Sequence, residues 1–576
     1  MLSFFKNRPK FLSYFFCFSF LTLFGSVESD KLRMKNDLFF IKEIFNGHYA
    51  PKQWKESFAN WNLDAEIQNV EAQISQKNLT IKQFQKVLKD FTLSVKDYHV
   101  GIYFYSTEEA HLPFYVKSAN GRYFISYVKK WAPEDFPFHE GDEILTFGGK
   151  PIDKVVQTLK KELLGDNVSL ADQGLAEIYL TNRSGKTGAD VPKGSITITG
   201  KDGYYGYPLF STLQWDYSAE KVNDPQAHIS KQPVLAGMCD CEFNPPFINL
   251  SLLNKDMSAP FSTIFQDLCK KDMRNPHAVG AKISMLPPLG NILWSTDPED
   301  PFEAYIFETA SKKLIGFIRI PHYSFGEEEA KEFGMLMDFF ENGTEGLIID
   351  QQNNYGGLVL FGYGVMSMLT DRPLVLPKHR MMLRQEEVYN AYDMIEKFSF
   401  IKSNWQARKF FGETWFGYPI NLKFVESLIG YCQFMIDEWD QGKHLSDPGY
   451  LYLDAVDPHP KTRYTKPLLI VINPLDFSCG DFLPATMQDN KRAKLIGTRT
   501  AGAGGYIDFA TFPNYSGISK LRYTASIAER MDKTPIENLG VKPDIVYNIT
   551  VSDLQNNFEP YAKFIVDEME KIIDKK

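Results

Sequence analysis

The sequence predicts an α/β protein built from several regions. Its 576 residues are enough for more than one domain, and an apolar content of 44% supplies a sizeable core. Residues 30 to about 95 carry apolar side chains at three- and four-residue spacing, which indicates helices. From about residue 305 onward, strand-like and helix-like runs alternate, and this alternation is typical of layered α/β domains.

The first 28 residues have the order of a secretory signal peptide. Lys6, Arg8 and Lys10 precede an uncharged apolar block at residues 11–25, and small residues follow it. The block is shorter than the roughly 20 residues of a membrane-spanning helix, and a retained anchor is the alternative. We therefore expect residues 1–28 to be a signal peptide and the chain to be exported without a stable membrane anchor.

Residues 29–108 are predicted to form a helical N-terminal region that ends in a strand. The period changes at HVGIYFYS (99–106), where β-branched and aromatic residues replace the helical spacing. His99 lies at this change. A lone histidine more often has a structural role than a catalytic one, so its position alone does not select it among the ten histidines of the chain.

Residues 109–205 are predicted to form a small β-rich domain. In FHEGDEILTFGGKPIDKVVQTL (138–159), a Gly-Asp pair, alternating apolar residues, a Gly-Gly turn and an amphipathic helix follow one another. This order resembles part of a PDZ domain, a module that binds extended peptides along a sheet edge. A β-rich domain with a purely structural role is the alternative.

Residues 206–300 are expected to be an irregular linker or insertion, because they show no period, and long loops of this kind are usually functional or mobile. Residues 301–576 are expected to form the layered α/β domain. Within it, the apolar runs that lead into DQQNNYGG (350–357) and form PLLIVIN (467–473) are typical of buried strands. The last residues are predicted to form an amphipathic helix.

Charge and cysteine usage exclude several classes of function. The net charge of -9 and the lack of a long basic block argue against nucleic acid as a partner. Removal of the signal peptide would leave five of the six cysteines, an odd number for a disulfide framework. Cys239 and Cys241 have no matching second pair, so a zinc site is poorly supported. We expect neither a metal nor an organic cofactor.

Ser478 is the first candidate nucleophile. It lies between the apolar run PLLIVIN and a helix-like run, so its hydroxyl is exposed at a strand-to-helix turn. The N–H of Cys479 would then lie at a helix N-terminus, where it can donate to an oxyanion. Helix capping by Ser478 is the alternative, and Cys479 is a rival nucleophile that is more often a small core residue.

Three further segments are candidates for the same chemistry. Gly356 and Gly357 follow a buried strand, and glycine leaves its N–H unshielded, so either could supply a second oxyanion donor; an ordinary turn is the alternative. His99 could act as a base. Glu537 lies in a loop before Gly540, where an exposed surface charge is the alternative.

Taken together, five segments resemble the chlamydial protease-like activity factors, a family of secreted serine endoproteases within the tail-specific and C-terminal-processing protease superfamily. The segments, in chain order, are DYHVGIYF, IIDQQNNYGG, LTDRPLVLPKHRM, DFSCGDF with QDNKRAKLIGTRTAGAGG, and IENLGVKPDI. The resemblance implies a crotonase-like α/β catalytic domain, protein or peptide substrates, a homodimer, and secretion into a host cell environment. It also implies a zymogen that matures by self-cleavage, with an inhibitory segment that we place within residues 225–285.

The resemblance also assigns roles to residues. Ser478 falls on the nucleophile, and His99 and Glu537 fall on the base and its carboxylate partner in tricorn-like relatives. The N–H of Cys479 and one from Gly356 or Gly357 would form the oxyanion hole. Many members of the superfamily use a lysine instead, but Ala503 of TAGAG (500–504) occupies that position, and a methyl group cannot accept a proton.

Three alternatives remain at this point. Asp97, two residues from His99, competes with Glu537 as the group that orients the imidazole. A lysine-dependent processing protease could take its base from elsewhere, for example from Lys491. A catalytically inactive peptide-binding or scaffold homologue would keep the fold and lose the activity.

Overall fold

The computed structural model describes residues 10–220 and 275–575, with side chains from residue 28 onward. Helices and strands are mixed through these ranges, and the predicted α/β class is confirmed. Residues 1–9 of the expected signal peptide and residues 225–274 of the expected inhibitory segment lie outside the described residues. Within the described ranges, no helix is both long enough and apolar enough to cross a membrane.

The N-terminal region consists of four helices and a strand. They are α1 (Lys10–His48), α2 (Lys52–Ala59), α3 (Leu63–Gln76), α4 (Ile81–Ser94) and β1 (Gly101–Phe104). Thr80 begins α4 with a capping box, since its hydroxyl accepts the N–H of Gln83 and the Gln83 amide oxygen accepts the N–H of Thr80. β1 pairs antiparallel with the strand Ile518–Thr524, so this region is joined to the C-terminal domain.

The second region is a β-rich domain with two helices. Its elements are β2 (Glu109–His111), β3 (Phe114–Ala119), β4 (Arg122–Val128), β5 (Glu143–Phe147), β6 (Lys150–Pro151), α5 (Ile152–Leu163), α6 (Ser169–Thr181), β7 (Asn182–Ser184), a short 3-10 helix (Gly185–Thr187), β8 (Ser195–Lys201), β9 (Pro208–Gln214) and β10 (Asp216–Ser218). Gly148 and Gly149 join β5 to β6 with φ angles of 60° and 73°, the conformation that a two-residue hairpin turn requires.

The predicted boundary at residue 205 is wrong. β9 pairs with β8 along its whole length, and β10 pairs with β2, so both strands complete the β-rich domain. The predicted start of the next domain at residue 301 is wrong for the same reason, because a strand at Asn291–Ser295 pairs with Ala304–Glu308. Local composition did not reveal these strands because strand pairing depends on distant partners.

The third region is a layered α/β domain. In chain order its elements are β11 (Asn291–Ser295), β12 (Ala304–Glu308), β13 (Leu314–Arg319), α7 (Glu327–Gly343), β14 (Gly346–Asp350), α8 (Val359–Met368), β15 (Leu374–Val375), β16 (Lys378–Met381), α9 (Gln385–Phe398), α10 (Asn404–Phe411), β17 (Thr414–Trp415), β18 (Tyr418–Pro419), α11 (Leu422–Asp440), β19 (Gly449–Tyr450), β20 (Ala455–Val456), β21 (Leu468–Ile472), α12 (Cys479–Asp489), β22 (Lys494–Gly497), β23 (Ile507–Ala510), β24 (Ile518–Thr524), β25 (Ser526–Glu529), β26 (Ile545–Val546), α13 (Val551–Gln555) and α14 (Glu559–Asp574).

The main sheet of this domain determines where chemistry can occur. Its strand order is β11-β12-β13-β14-β21-β22-β26, and the strands from β13 to β26 are parallel. Every residue of β14 and β21 is buried, which explains their uninterrupted apolar sequences. Because parallel strands end at the same edge, the loops after β14 and β21 are neighbours there.

Candidate active site

Ser478 lies in a strained turn between β21 and α12. Its backbone has φ 58° and ψ −117°, a conformation that non-glycine residues rarely adopt, and its side chain makes no capping hydrogen bond to the helix. The capping alternative is therefore not what the structure shows. The turn instead leaves the Ser478 hydroxyl at the N-terminus of α12 without a hydrogen bond to any residue that the structure describes.

The carboxylate of Asp476 fixes this turn. It accepts the N–H of Asn473, the N–H of Asn354 and a hydrogen bond from the Gln351 amide. Burial raises the pKa of Asp476 well above its usual value. One buried side chain thus ties the loop before Ser478 to the loop after β14.

Gly356 and Gly357 lie directly against Ser478 and Cys479. A Cβ atom on Gly356 would come within 2.6 Å of Ser478 Cβ, and the Cys479 thiol donates to the Gly357 carbonyl oxygen at 3.1 Å. Gly356 and Gly357 have φ angles of 89° and 148°, so both positions require glycine. The ordinary-turn alternative does not account for this close approach.

The two glycines differ in their N–H groups. The N–H of Gly356 donates to the side-chain oxygen of Asn354 at 2.8 Å. Within residues 10–220 and 275–575, the N–H groups of Gly357 and Cys479 have no oxygen or nitrogen acceptor; the Gly357 N–H faces only the Cys479 sulfur, a weak acceptor. Of the predicted oxyanion donors, Gly357 and Cys479 are therefore available in this structure, and Gly356 is engaged.

The thiol of Cys479 is a poor rival nucleophile. Burial raises its pKa to about 12, so the thiol stays protonated at neutral pH. Its hydrogen bond to Gly357 also packs α12 against the loop after β14. Cys432, the other cysteine among the described residues with side chains, is buried as a free thiol and makes no disulfide.

His99 is fully buried in the turn that precedes β1. Its backbone N–H donates to Asp97 at 2.8 Å, and its carbonyl oxygen accepts a hydrogen bond from Arg522 of β24 at 2.5 Å. Burial lowers the pKa of His99 to about 3, and the Asp97 carboxylate only partly offsets this effect. The imidazole is therefore neutral at physiological pH, the form that can accept a proton.

Tyr98 connects the His99 turn to the Ser478 turn. Its ring lies edge-on to Phe477, with ring centroids 5.5 Å apart, and its hydroxyl donates to Asp172 of α6 at 2.7 Å. Each of these aromatic residues is the immediate neighbour of a candidate catalytic residue. The N-terminal region, the β-rich domain and the α/β domain therefore meet at this point.

Glu537 is buried rather than exposed, so the surface-charge alternative is wrong. Its carboxyl forms a buried ion pair with Lys55 of α2. Burial and the nearby Asp97 raise the pKa of Glu537, while Lys55 opposes the rise. The backbone N–H of the next residue, Asn538, donates to the Gly502 carbonyl oxygen, which places the Glu537 loop against the TAGAG loop.

Asp97 has a different environment. One carboxylate oxygen accepts hydrogen bonds from the hydroxyls of Tyr49 and Thr524, and the other accepts the backbone N–H of His99. Although burial opposes ionisation, Lys55 and the hydrogen bonds from Thr524 and the His99 backbone lower the pKa of Asp97 below its usual range. Asp97 thus holds the turn that carries His99, and its oxygens are occupied by these donors.

The loop TAGAG (500–504), in which Ala503 replaces the lysine of many superfamily members, is fixed by a carboxylate. Asp481 of α12 accepts the N–H of Gly502, the N–H of Ala503 and the hydroxyl of Thr500. Burial raises the pKa of Asp481 to about 6. Ala503 is fully buried against this carboxyl, which fixes the loop beside Glu537.

We expect replacement of Asp481 with alanine to destabilise the domain. Its three donors would lose their acceptor inside the protein, and each unsatisfied buried donor costs roughly 1–3 kcal/mol. Chemical denaturation should report a fall in the free energy of unfolding of at least about 2 kcal/mol. Asp489→Ala, at the other end of α12, is the helix control, and equal losses in both variants would contradict the prediction.

Sequence reasoning missed several residues of this site. Lys55, Asp476, Asp481 and Asn538 were not singled out. DFSCGDF carries both aspartates beside Ser478, and a carboxylate inside an otherwise apolar strand-to-helix turn is a usable signal. No comparable signal marks Lys55, which lies in an ordinary amphipathic helix. No cluster of metal-ligating side chains is found among the described residues.

Comparisons with known proteins identify two of the regions. The model of the PDZ domain matches residues 108–222, and that of peptidase family S41 matches residues 314–547. An uncharacterised protein of Chlamydia muridarum is 35% identical over 563 residues, which cover 93% of this chain and 92% of that protein. A protein of Chlamydia pneumoniae is 36% identical over 556 residues and covers 92% of this chain and 88% of its own length.

Solved structures extend this similarity to nearly the whole chain. The crystal structure of mature CPAF, the chlamydial protease-like activity factor, is 31% identical with a TM-score of 0.80 and covers 95% of this chain and 98% of its own. Mature CPAF complexed with lactacystin matches with a TM-score of 0.81 at 31% identity, over 95% of this chain and 99% of that one. The predicted PDZ-like and protease regions are confirmed. The chain therefore belongs to peptidase family S41 and, within it, to the chlamydial protease-like activity factors, and it is a serine peptidase.

Proposed function

We propose that the chain is a serine endopeptidase with Ser478 as nucleophile, His99 as general base and Glu537 as the carboxylate partner of His99. The observation that carries the proposal is the strained Ser478 turn, where the amide groups of Cys479 and Gly357 and the Ser478 hydroxyl have no oxygen or nitrogen partner among the described residues. The turn that contains His99 contacts the Ser478 turn through the rings of Tyr98 and Phe477, and it supplies a buried, neutral imidazole.

In the first half-reaction, Ser478 Oγ attacks the carbonyl carbon of the scissile bond and His99 accepts the hydroxyl proton. The oxyanion that forms accepts hydrogen bonds from the N–H groups of Cys479 and Gly357. His99 then gives the proton to the leaving amine, and an acyl-enzyme remains. A water molecule, deprotonated by His99, releases the acid and restores Ser478.

Glu537 is proposed to stabilise the imidazolium that exists between these steps. A carboxylate near the ring favours the charged imidazole that burial otherwise disfavours. Without this charge, the imidazolium formed by proton transfer from Ser478 would depend on Asp97 alone, whose carboxylate offsets the effect of burial only in part. Burial, Arg522 and Lys55 lower the pKa of His99, and the Glu537 carboxylate is proposed to offset their effect when the imidazole takes up the proton.

A lysine-dependent mechanism receives no support from the contacts. Lys491 is exposed at the far end of α12. Lys55 is buried near the site, but its ammonium donates to the Lys96 carbonyl oxygen, Glu537 and Asn538. Three acceptors engage all three protons of an ammonium group, so Lys55 has no lone pair with which to accept another.

Export, self-cleavage and homodimer formation complete the proposal, and the last two come from the family resemblance. The basic, apolar and small-residue order of residues 1–28 supports export. The inhibitory segment is proposed within residues 225–285. Full activity of an intact, unfragmented chain would contradict self-cleavage, and a monomeric mass at active concentrations in analytical ultracentrifugation would contradict the homodimer.

Covalent labelling tests the proposed nucleophile. A fluorophosphonate probe should label the mature protein, and mass spectrometry of the digested protein should place the label on Ser478. Ser478→Ala should remove it. Ser516→Ala is the control, because Ser516 is a buried serine whose hydroxyl donates to Asp37 of the N-terminal region instead of lying at the Ser478 turn. Absence of Ser478-dependent labelling would favour the inactive scaffold homologue.

We expect the activity to rise with pH through about pH 8. Burial and Asp97 raise the pKa of Glu537 to about 8, whereas burial lowers that of His99 to about 3. The imidazole is therefore a base throughout the neutral range, and the carboxyl gains its charge as the pH increases. The pH profile of kcat/KM should show a rising limb near pH 8 that Glu537→Gln abolishes. A limb near the usual histidine value of about 6.5 that persists in Glu537→Gln would contradict this assignment.

A further inference from the structure

Lys55 is a buried lysine that the proposed mechanism does not use. Its side chain is 0% exposed, although lysine is among the residues least often buried. It lies in the short helix α2, and its partner Glu537 is 482 positions later in the chain. Burial of an ammonium group is costly unless acceptors surround it. The groups that accept hydrogen bonds from the Lys55 ammonium therefore indicate the role of its charge.

The ammonium of Lys55 joins two loops of the site. It donates to the carbonyl oxygen of Lys96 at 2.9 Å and to the side-chain oxygen of Asn538 at 2.6 Å, in addition to Glu537 Oε1. Lys96 directly precedes the Asp97–His99 turn. One cation thus links the turn that carries His99 to the loop that carries Glu537.

Asn538 reinforces this link from the other side. Its side-chain amide donates to the Lys96 carbonyl oxygen at 2.7 Å and to Asn167 at 2.9 Å, and the Trp54 indole donates to its oxygen. Its φ of 61° is unusual for a non-glycine residue. The surrounding contacts therefore hold the residue after Glu537 in one conformation.

The charges that face Glu537 come from several elements. Asp97 in the His99 turn and Asp481 in α12 disfavour its carboxylate, and Tyr49 after α1 is also in electrostatic range. Lys55 is the cation that acts on Glu537 within the described residues. Glu537 Oε2 has no hydrogen-bond partner there. One carboxylate oxygen is thus held by Lys55, and the other remains available.

We propose that Lys55 is a positioning residue for catalysis, whose ammonium fixes Glu537 and favours its carboxylate form so that Oε2 serves the His99 imidazole, directly or through water. The inference rests on the role proposed for Glu537. Lys55 acts through Glu537 and contacts neither substrate nor the reacting atoms. Its removal should therefore affect proton transfer rather than substrate binding.

A double-mutant cycle between Lys55 and Glu537 tests the proposal in the full chain. We expect Lys55→Met to lower kcat about 100-fold at neutral pH with little change in KM. In a Glu537→Gln background the same change should cost less than about threefold, because the group that Lys55 serves is already absent. Lys55→Arg, which retains the charge, should recover at least about tenfold of the loss.

The pH profile of kcat/KM in Lys55→Met distinguishes a positioning role of Lys55 from a packing role. Removal of the Lys55 charge leaves burial, Asp97 and Asp481 to disfavour the carboxylate, so the rising limb of kcat/KM should move at least about one pH unit upward. Lys89→Met is the matched control, since Lys89 of α4 is also buried and makes no hydrogen bond to Glu537. Its profile should stay unchanged.

Each outcome decides the question. Equal losses from Lys55→Met with and without the Glu537 carboxylate, or an unshifted pH limb, would overturn the proposal. If Lys55→Met fails to fold but the double variant Lys55→Met/Glu537→Gln folds, the charge pairing is supported. If both the single and the double variant fail to fold, Lys55 has a packing role and the proposal is overturned. If Glu537→Gln alone leaves kcat and the labelling of Ser478 unchanged, the proposed triad fails instead, and the two failures are distinguishable.

Discussion

Replacement of His99 with alanine should lower kcat about 10⁴-fold or more, while KM changes little. The hydroxyl of Ser478 is a weak nucleophile without a base, and the neutral imidazole of His99 is the group we assign to accept its proton. The oxyanion donors of Cys479 and Gly357 would remain, so a small residual rate is expected above the uncatalysed reaction. Hydrolysis of a denatured, dye-labelled protein and the rate of fluorophosphonate labelling both measure the loss.

A second buried histidine provides the control for this prediction. His111 of β2 is also buried, but it bonds Glu109 and Asn182 within the β-rich domain. His111→Ala should keep kcat within about threefold of the unmodified protein, whatever its effect on stability. If His99→Ala keeps normal proteolysis and normal labelling, the base is a different group and the assignment of His99 is wrong.

Much of the fold could be predicted from local sequence. The runs in β14 and β21 are uniformly apolar because both faces of the central sheet are covered, and such runs are recognisable without a structure. The Gly148-Gly149 hairpin and the amphipathic α5 are equally local. These elements depend on neighbouring residues, so the sequence pattern is sufficient to predict them.

The boundaries of the regions could not be predicted in the same way. β9 and β10 are identified by their partners, β8 and β2, and the second of these lies about 100 residues earlier. β1 pairs with β24 across more than 400 residues. Pairing at such separations leaves no local periodicity beyond that of a short strand, and the predicted linker therefore began too early.

The candidate site likewise contains some residues that local sequence predicts and others that depend on contacts between distant segments. Ser478 and the glycine pair were predicted because strand-to-helix and strand-to-glycine turns have local signatures, and His99 and Glu537 were selected by resemblance. Lys55 was not selected, because a lysine in WKESFANWNL has the spacing of a solvated helix residue. It is buried only because α2 lies against the Glu537 loop, a contact between distant segments.

The strain at Ser478 makes its glycine neighbour the second decisive test. Gly356 has a φ of 89°, and an added Cβ would lie 2.6 Å from Ser478 Cβ, 2.7 Å from the Phe477 carbonyl oxygen and 2.9 Å from the Cys479 nitrogen. Real Cβ atoms do not approach other atoms so closely, so Gly356→Ala must displace the Ser478 turn or the loop after β14. A displacement of about 1 Å at the reacting groups costs about 100-fold in rate.

Loss of an oxyanion donor adds a further factor of about 10²–10³, because Gly357 is linked to Gly356 and moves with it. We therefore expect Gly356→Ala to lower kcat/KM by at least about 10³-fold and to reduce fluorophosphonate labelling in parallel. Gly362→Ala in α8 is the control: its Cβ would meet no atom within 4 Å, and alanine is the better helix former. That variant should keep its activity and its stability. If Gly356→Ala retains activity within about tenfold of the unmodified protein, the geometry of the Ser478 turn tolerates movement, and the close packing of Gly356 against it is not what aligns the oxyanion hole.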